Sequence, residues 1–207
     1  ATFSQAGERM LQRPEPMTNA TVEVLQHIHR EAMNAGEGIR RIRRLFDHAG
    51  ARRPPCSMRE LVLELQPVLD LLASRYGATL DVRCADDLPT IAVDRLRVQH
   101  VLLTLVQNAF EAPRPAGKAN YVGIEVTCDR YTVRTAVTDS GVGIPEQHKP
   151  QIFRPFFTTK GEGTGLGLAS SRAIIESHEG TIGFEDVEGG GTRFWFCLPA
   201  LSGGESR

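Results

Sequence analysis

The chain has 207 residues, 41% hydrophobic and 24% charged, a globular balance that suits one large domain or a compact domain with a helical appendage. Its 24 Lys and Arg against 25 Asp and Glu leave a net charge of −1, which argues against nucleic-acid binding through bulk charge. No apolar run approaches the ~20 residues of a membrane helix and no secretory signal opens the chain, so a cytoplasmic segment without membrane contact is expected. It starts at Ala1, as a piece of a longer protein would. Cys56, Cys84, Cys128 and Cys197 are far apart and form no C-x-x-C. That pattern disfavours a disulfide scaffold or zinc ribbon and points to buried free thiols. The six histidines are scattered, and no metal site is expected from them.

The first 12 residues look helical, and Arg13-Pro14-Glu15-Pro16 breaks them. Thr18 or Asn19 can cap a long helix to about Ala49. Along it Leu25, Ile28, Ala32, Ala35, Ile39, Ile42 and Leu45 or Phe46 recur in steps of 3 and 4. This heptad seam predicts a helical hairpin that gains its core by pairing with a second copy in a four-helix bundle. Arg30, Arg40, Arg41, Arg43 and Arg44 decorate the helix; they read as a solvated face or as a docking face for an acidic partner. Gly50 to Pro55 reads as a linker.

Ser57-Met58-Arg59-Glu60 has the capping-box spacing and opens a helix to about Tyr76, with Pro67 inside and Gly77 ending it. Thr79–Cys84 and Ile91–Val93 read as strands, and Asp94 can cap a helix carrying Leu96, Val98, Val101, Leu102, Leu105, Val106 and Ala109. Tyr121–Thr127 and Tyr131–Thr138 form a hairpin joined at Asp129-Arg130. Leu168–Glu179 is a helix, and Thr181–Glu185 and Thr192–Leu198 are strands around Gly189-Gly190-Gly191. The sum is an α+β fold: a two-layer sandwich of a mixed, mostly antiparallel sheet with helices on one face.

The glycines cluster. Asp139-Ser140-Gly141-Val142-Gly143-Ile144 follows a strand, and Gly163-Thr164-Gly165-Leu166-Gly167-Leu168 precedes a helix. The second arrangement brings exposed amides and a helix N-terminus together, which suits an anion. Neither the P-loop spacing nor the Rossmann order is present, and alone G-x-G-x-G is equally a flexible loop. The context adds Gln107-Asn108-Ala109-Phe110-Glu111-Ala112 on a helix. The uncharged amide oxygen of Asn108 suits Mg²⁺, which takes few protein ligands. Between the glycine boxes lies Ile152-Phe153-Arg154-Pro155-Phe156-Phe157-Thr158-Thr159-Lys160.

These ordered motifs resemble the ATP-binding domain of sensor histidine kinases, in the superfamily of type II topoisomerase, mismatch-repair and heat-shock chaperone ATPases. The resemblance covers about residues 55–199, with Thr181-Ile182-Gly183 and Gly191-Thr192-Arg193-Phe194 matching the closing segment. It implies an ATP-dependent protein-histidine kinase with ATP and Mg²⁺ bound at residues 53–207, and a partial dimerisation hairpin at 1–52. Asp139 would accept a hydrogen bond from the adenine amino group, Gly141 and Gly143 would pass close to the base, and Thr192 would support it through water. Asn108 would hold Mg²⁺; Gly163, Gly165 and Gly167 would form the hinge and phosphate cradle of a lid. Phe153, Phe156 and Phe157 would anchor that lid, and Lys160 would meet the γ-phosphate. Ile144, Thr164, Leu166 and Leu168 complete the implied nucleotide-binding set.

Two departures bear on mechanism. Hydrolysing relatives carry a Glu base one turn before the metal Asn, and histidine kinases usually carry Asn; this chain has Thr104. Thr cannot act as a carboxylate base, which favours transfer to an outside nucleophile over hydrolysis. No histidine here has the family's phosphoacceptor context, so that residue is expected upstream of Ala1. The implied partners are a response-regulator receiver domain and a second copy of the chain. A degenerate kinase that binds nucleotide without transfer, and an ATP-driven clamp, are the alternative functions.

Overall fold

The computed structural model describes residues 53–160 and 163–201. The helical hairpin expected at 1–52 lies outside the described residues. In chain order the elements are β1 (Pro55–Ser57), α1 (Met58–Arg75), β2 (Ala78–Cys84), β3 (Thr90–Ala92), α2 (Arg95–Phe110), β4 (Asn120–Cys128) and β5 (Thr132–Asp139). A 3₁₀ turn (Lys149–Gln151), α3 (Gly167–Ser177), β6 (Thr181–Asp186) and β7 (Thr192–Pro199) follow.

The main sheet runs β2-β4-β5-β7-β6. Only the β2–β4 pair is parallel, with Leu80 opposite Val122. That pair needs a crossover, and α2 supplies it. The remaining pairs are antiparallel, as hairpins allow. The α+β architecture expected from the sequence is therefore present in the described residues, with all three helices on one face.

Alternation explains why only one face is covered. On β4 the residues Val122, Ile124 and Val126 are buried, and on β7 Phe194, Phe196 and Leu198. Register places Val137 beside Ile124 and Phe194, so one apolar stripe crosses three strands. The helices close on it at helical spacing: Leu61, Val62, Leu65 and Leu69 from α1, Val98, Val101, Leu102 and Leu105 from α2, Ile174 and Ile175 from α3. Each such side chain contributes about 1.5–3 kcal/mol on burial.

Caps set where the helices start. Ser57 Oγ accepts from Arg59 N at 3.2 Å, and Asp94 Oδ1 accepts from Arg97 N at 3.2 Å. The capping box read at Ser57 closes on one side only, because the Glu60 carboxylate pairs with Arg95 at 3.5 Å. The linker expected at Gly50 to Pro55 runs into an unexpected strand: Pro55–Ser57 forms β1, antiparallel to β3, with Cys56 opposite Ile91. His178 joins two helix ends, its Nε2 accepting from Asp94 N at 3.0 Å and its Nδ1 lying 2.8 Å from Ile174 O. Burial pushes the His178 imidazole below its ordinary range, which fits a neutral ring donating from Nδ1. The thiols are free, but only Cys56 is buried; Cys128 is exposed. Among the described residues no helix is long and apolar enough to cross a membrane.

Candidate functional site

Helix α2 presents the first group of site residues. Its buried face takes Leu102, Leu105 and Ala109, so Thr104, Asn108 and Glu111 fall along the partly open side, spaced about one turn apart. Thr104 meets the start of α3: a Cβ on Gly167 would lie 3.1 Å from Thr104 Cγ2. The end of α2 is stabilised by Arg114, whose Nη1 donates to Phe110 O at 3.1 Å and Ala112 O at 3.3 Å.

Asp139 is the last residue of β5, on the helix-facing side of the sheet, and only 6% exposed. Its Oδ1 accepts from Gly141 N at 2.7 Å and Thr192 N at 3.2 Å. Burial pushes its carboxyl above the usual range, against the two amides and the cations Lys118 and Arg114. Among the described residues no donor reaches Oδ2, which leaves that oxygen to accept from a ligand.

Glycine makes this arrangement sterically feasible. A Cβ on Gly141 would stand 2.8 Å from Asp139 Oδ1 and 2.9 Å from Ala112 Cβ. Gly191, at φ +116°, lies so close to β5 that a Cβ would stand 2.2 Å from Asp139 O. Val142 N donates to Pro113 O at 2.9 Å, tying the loop to the end of α2.

The opposite end is formed by the segment before α3. Phe156 N donates to Gly165 O at 3.0 Å. Gly165, at φ +65°, is pressed onto Phe156, with a Cβ position 2.4 Å from Phe156 C. Phe153 packs against Phe184 and Phe194, each at 6.4 Å between ring centroids. Phe157 meets His148 edge-on at 5.6 Å. Phe156 differs from its expected anchoring role: it adopts φ 67° and is 59% exposed. The backbone contact with Gly165 fixes that residue, so its ring is turned to solvent. Helix α3 has Leu166 at its N-cap and no side-chain cap, so no side chain competes with an anion for its first amides.

Lys160 reaches from this segment to α2. Its Nζ donates to Asn108 Oδ1 at 2.9 Å and to Glu111 Oε2 at 2.5 Å. Glu111 Oε1 accepts from Tyr76 Oη at 2.9 Å, and the Tyr76 ring stacks on Phe110 at 5.7 Å. Partial burial raises the Glu111 carboxyl, but the Lys160 and Tyr76 hydrogen bonds outweigh it and hold the group below its ordinary range. An ammonium held by an amide oxygen and a carboxylate is a stand-in cation on hard oxygen donors. Asn108 therefore fits a divalent ion such as Mg²⁺.

The structure joins Lys160 to Asn108, with Thr104 one turn earlier on α2, and separately joins Asp139 to Gly141 and Thr192. Gly143 has φ +85° and a Cβ position 3.5 Å from Gly191 O, and Ile144 follows it, half-buried. Gly163 and Thr164 are exposed; Leu166, Gly167 and Leu168 are half-buried at the α3 start. Glu111 and Tyr76 were missed as site residues. Glu111 stood inside the N-A-x-E-A motif, but its partners are 49 and 35 positions away, and Tyr76 read only as a helix end.

A model of histidine kinase-, DNA gyrase B- and HSP90-like ATPases matches residues 93–202, more than half of the chain. The sensor protein TdiS of Thauera aromatica is 31% identical over 168 residues, 80% of this chain and 31% of TdiS. The sensor histidine kinase TmoS of Ectopseudomonas mendocina is 30% identical over 201 residues, 96% of this chain and 21% of TmoS. The chain thus spans a third or less of these two relatives. The nucleotide-free catalytic domain of histidine kinase ThkA superposes with a TM-score of 0.64 at 35% identity, over 72% of this chain and 95% of that domain. ThkA in complex with the response regulator protein TrrA gives 0.63 at 28% identity, over 99% of this chain and 57% of that one. The chain belongs to the family of histidine kinase-, DNA gyrase B- and HSP90-like ATPases, and it carries the catalytic ATPase domain found in sensor histidine kinases.

Proposed function

We propose that this chain binds Mg-ATP and transfers the γ-phosphoryl group to a histidine nitrogen, from which it passes to an aspartate of a response regulator. The observation that carries the reading is the buried Asp139, with Oδ1 held by two backbone amides and Oδ2 left open. A fixed, desolvated carboxylate oxygen selects an exocyclic amine, as adenine offers. Gly141 and Gly143 keep the wall beside it thin, Ile144 contributes apolar surface, and the buried Thr192 would add a hydroxyl that supports the base through water.

At the other end Asn108 would hold Mg²⁺, which supplies charge neutralisation on the phosphates. Lys160 would add a cation, and the α3 amides after Gly163, Thr164, Gly165 and Leu166 would receive phosphate oxygens. Transfer on this reading is positioning plus electrostatics. Thr104 stands where a water-activating carboxylate would be needed and supports transfer over hydrolysis.

Residues 53–207 would form the ATP-binding domain and residues 1–52 part of a dimerisation hairpin, on the cytoplasmic side. The heptad seam supports the hairpin, and the ThkA–TrrA complex supports a receiver domain as partner. Calorimetry tests the site: Asn108→Ala and Asp139→Ala should each abolish Mg-ATP binding, and unchanged affinity in either variant would sink the assignment. Labelled phosphate moving from ATP to a supplied histidine-bearing fragment tests the reaction. Steady hydrolysis with no phosphohistidine would overturn it.

A further inference from the structure

We infer that Glu111 is a positioning residue that parks Lys160 on the metal side of the site, so that the Lys160 ammonium and a divalent cation compete for Asn108. The inference rests on the reading above that Asn108 takes the metal. Lys160 Nζ donates to Asn108 Oδ1 at 2.9 Å and to Glu111 Oε2 at 2.5 Å. Asn108 has one amide oxygen. While that oxygen accepts from an ammonium, a second cation beside it meets both an occupied lone pair and a like charge.

Glu111 is what makes the parked position definite. Its carboxylate is oriented from behind by Tyr76 Oη at 2.9 Å. Tyr76 is in turn fixed by its stack on Phe110, with 9° between the ring planes. Lys160 thus meets an oriented carboxylate, whereas Asn108 alone would offer it a single neutral acceptor. Lys160 N also donates to Thr158 Oγ1 at 3.0 Å, which fixes the backbone from which the side chain reaches. Loading the site with metal and nucleotide therefore requires the ammonium to leave both oxygens; with ATP the γ-phosphate is the natural place for it to go, and ADP offers no such place.

Both partners are more than a third exposed, Lys160 at 40% and Glu111 at 37%, so the pair is screened and its opposition is modest. Glu111→Gln removes the charge but keeps an oxygen and the side-chain length. It should tighten Mg-ADP binding by about two- to five-fold, the range that an exposed ion pair supports. The half-saturating Mg²⁺ concentration at fixed ADP should fall by the same factor. Lys160→Gln should bind Mg-ADP at least as tightly as the parent chain, and adding Glu111→Gln to it should change nothing further. The advantage of Glu111→Gln should also shrink in high salt.

Calorimetry of the whole chain with Mg-ADP, and with ADP in chelator, reads all of these. Unchanged or weaker binding in Glu111→Gln overturns the inference. So does equal tightening in the Lys160→Gln background, which would mean simple repulsion between Glu111 and the phosphates. Loss of Mg-ADP binding in Lys160→Gln overturns it as well, since Lys160 would then assist the metal. A parent chain that binds no Mg-ADP removes the nucleotide reading itself; a parent chain that binds, with variants off this pattern, removes only the competition.

Discussion

At Asp139 the site is made of backbone: two amides hold one carboxylate oxygen, and Gly141 and Gly191 lie where no Cβ fits. At Lys160 it is made of side-chain charge: an ammonium, an amide oxygen and a carboxylate, all partly open to water. The first end is part of the sheet, continuous with β5 and β7. The second joins α2 to a segment whose Phe153 packs on Phe184 and Phe194 of the sheet and whose Phe156 and Gly165 bond to each other. A rigid end selects by geometry and cannot adjust. A charged, solvated end can exchange one cation for another at little cost, which suits the end where phosphates arrive and leave.

The contrast breaks most visibly if alanine is placed at one glycine in each end. Gly191→Ala puts a Cβ 2.2 Å from Asp139 O at φ +116°. The β5–β7 contact must open, and about 2–4 kcal/mol of stability should go, read as a lower midpoint in denaturant. Gly165→Ala creates a similar clash, 2.4 Å from Phe156 C at φ +65°, but in a segment outside the sheet. It should lower global stability by less than about 1 kcal/mol, because local opening relieves the strain, while weakening Mg-ATP binding about tenfold or more. Equal midpoints for the two variants would remove the distinction between a structural end and an adaptable end.

How far the sequence reached follows the same division. Elements set by neighbours in the chain were legible: Ser57 and Asp94 announce their helices, Gly77 ends α1, and alternation marks β4, β5 and β7. The glycine boxes were legible because a conformational need leaves a residue-type signature. Contacts made across the fold were not. β1 is three residues long and is a strand only because Ile91 lies opposite Cys56. His178 read as a helix end, though its ring bridges two helices 84 positions apart in sequence. Lys160 was assigned to a phosphate from its motif, yet its present partners, Asn108 and Glu111, could not be paired without the fold. Phe156 has the composition of an anchor, but the backbone at φ 67° turns it out to solvent.

The smallest expected effect sharpens the comparison by separating stability from function at Asp139. Burial raises this carboxyl above its unfolded value. A carboxyl with a raised folded pKa takes up its proton more readily in the folded state, so its ionisation opposes folding as pH rises through that value. Asp139→Asn keeps an oxygen for the Gly141 and Thr192 amides and removes the buried charge. Its thermal midpoint without nucleotide should equal or modestly exceed that of the parent chain at pH 7. The difference should shrink on acidification below the folded pKa of Asp139 and vanish only below its unfolded value, where the carboxyl is neutral in both states. Affinity for ATP should nonetheless be lost, because the amide directs an N–H₂ donor at the adenine amine where an acceptor is required. A scan of midpoint against pH for both proteins, with calorimetry at neutral pH, checks this. A lower midpoint for Asp139→Asn at neutral pH, closing on acidification, would mean that the ionised carboxylate is structural, and that the rigid end is shaped by charge instead of by backbone.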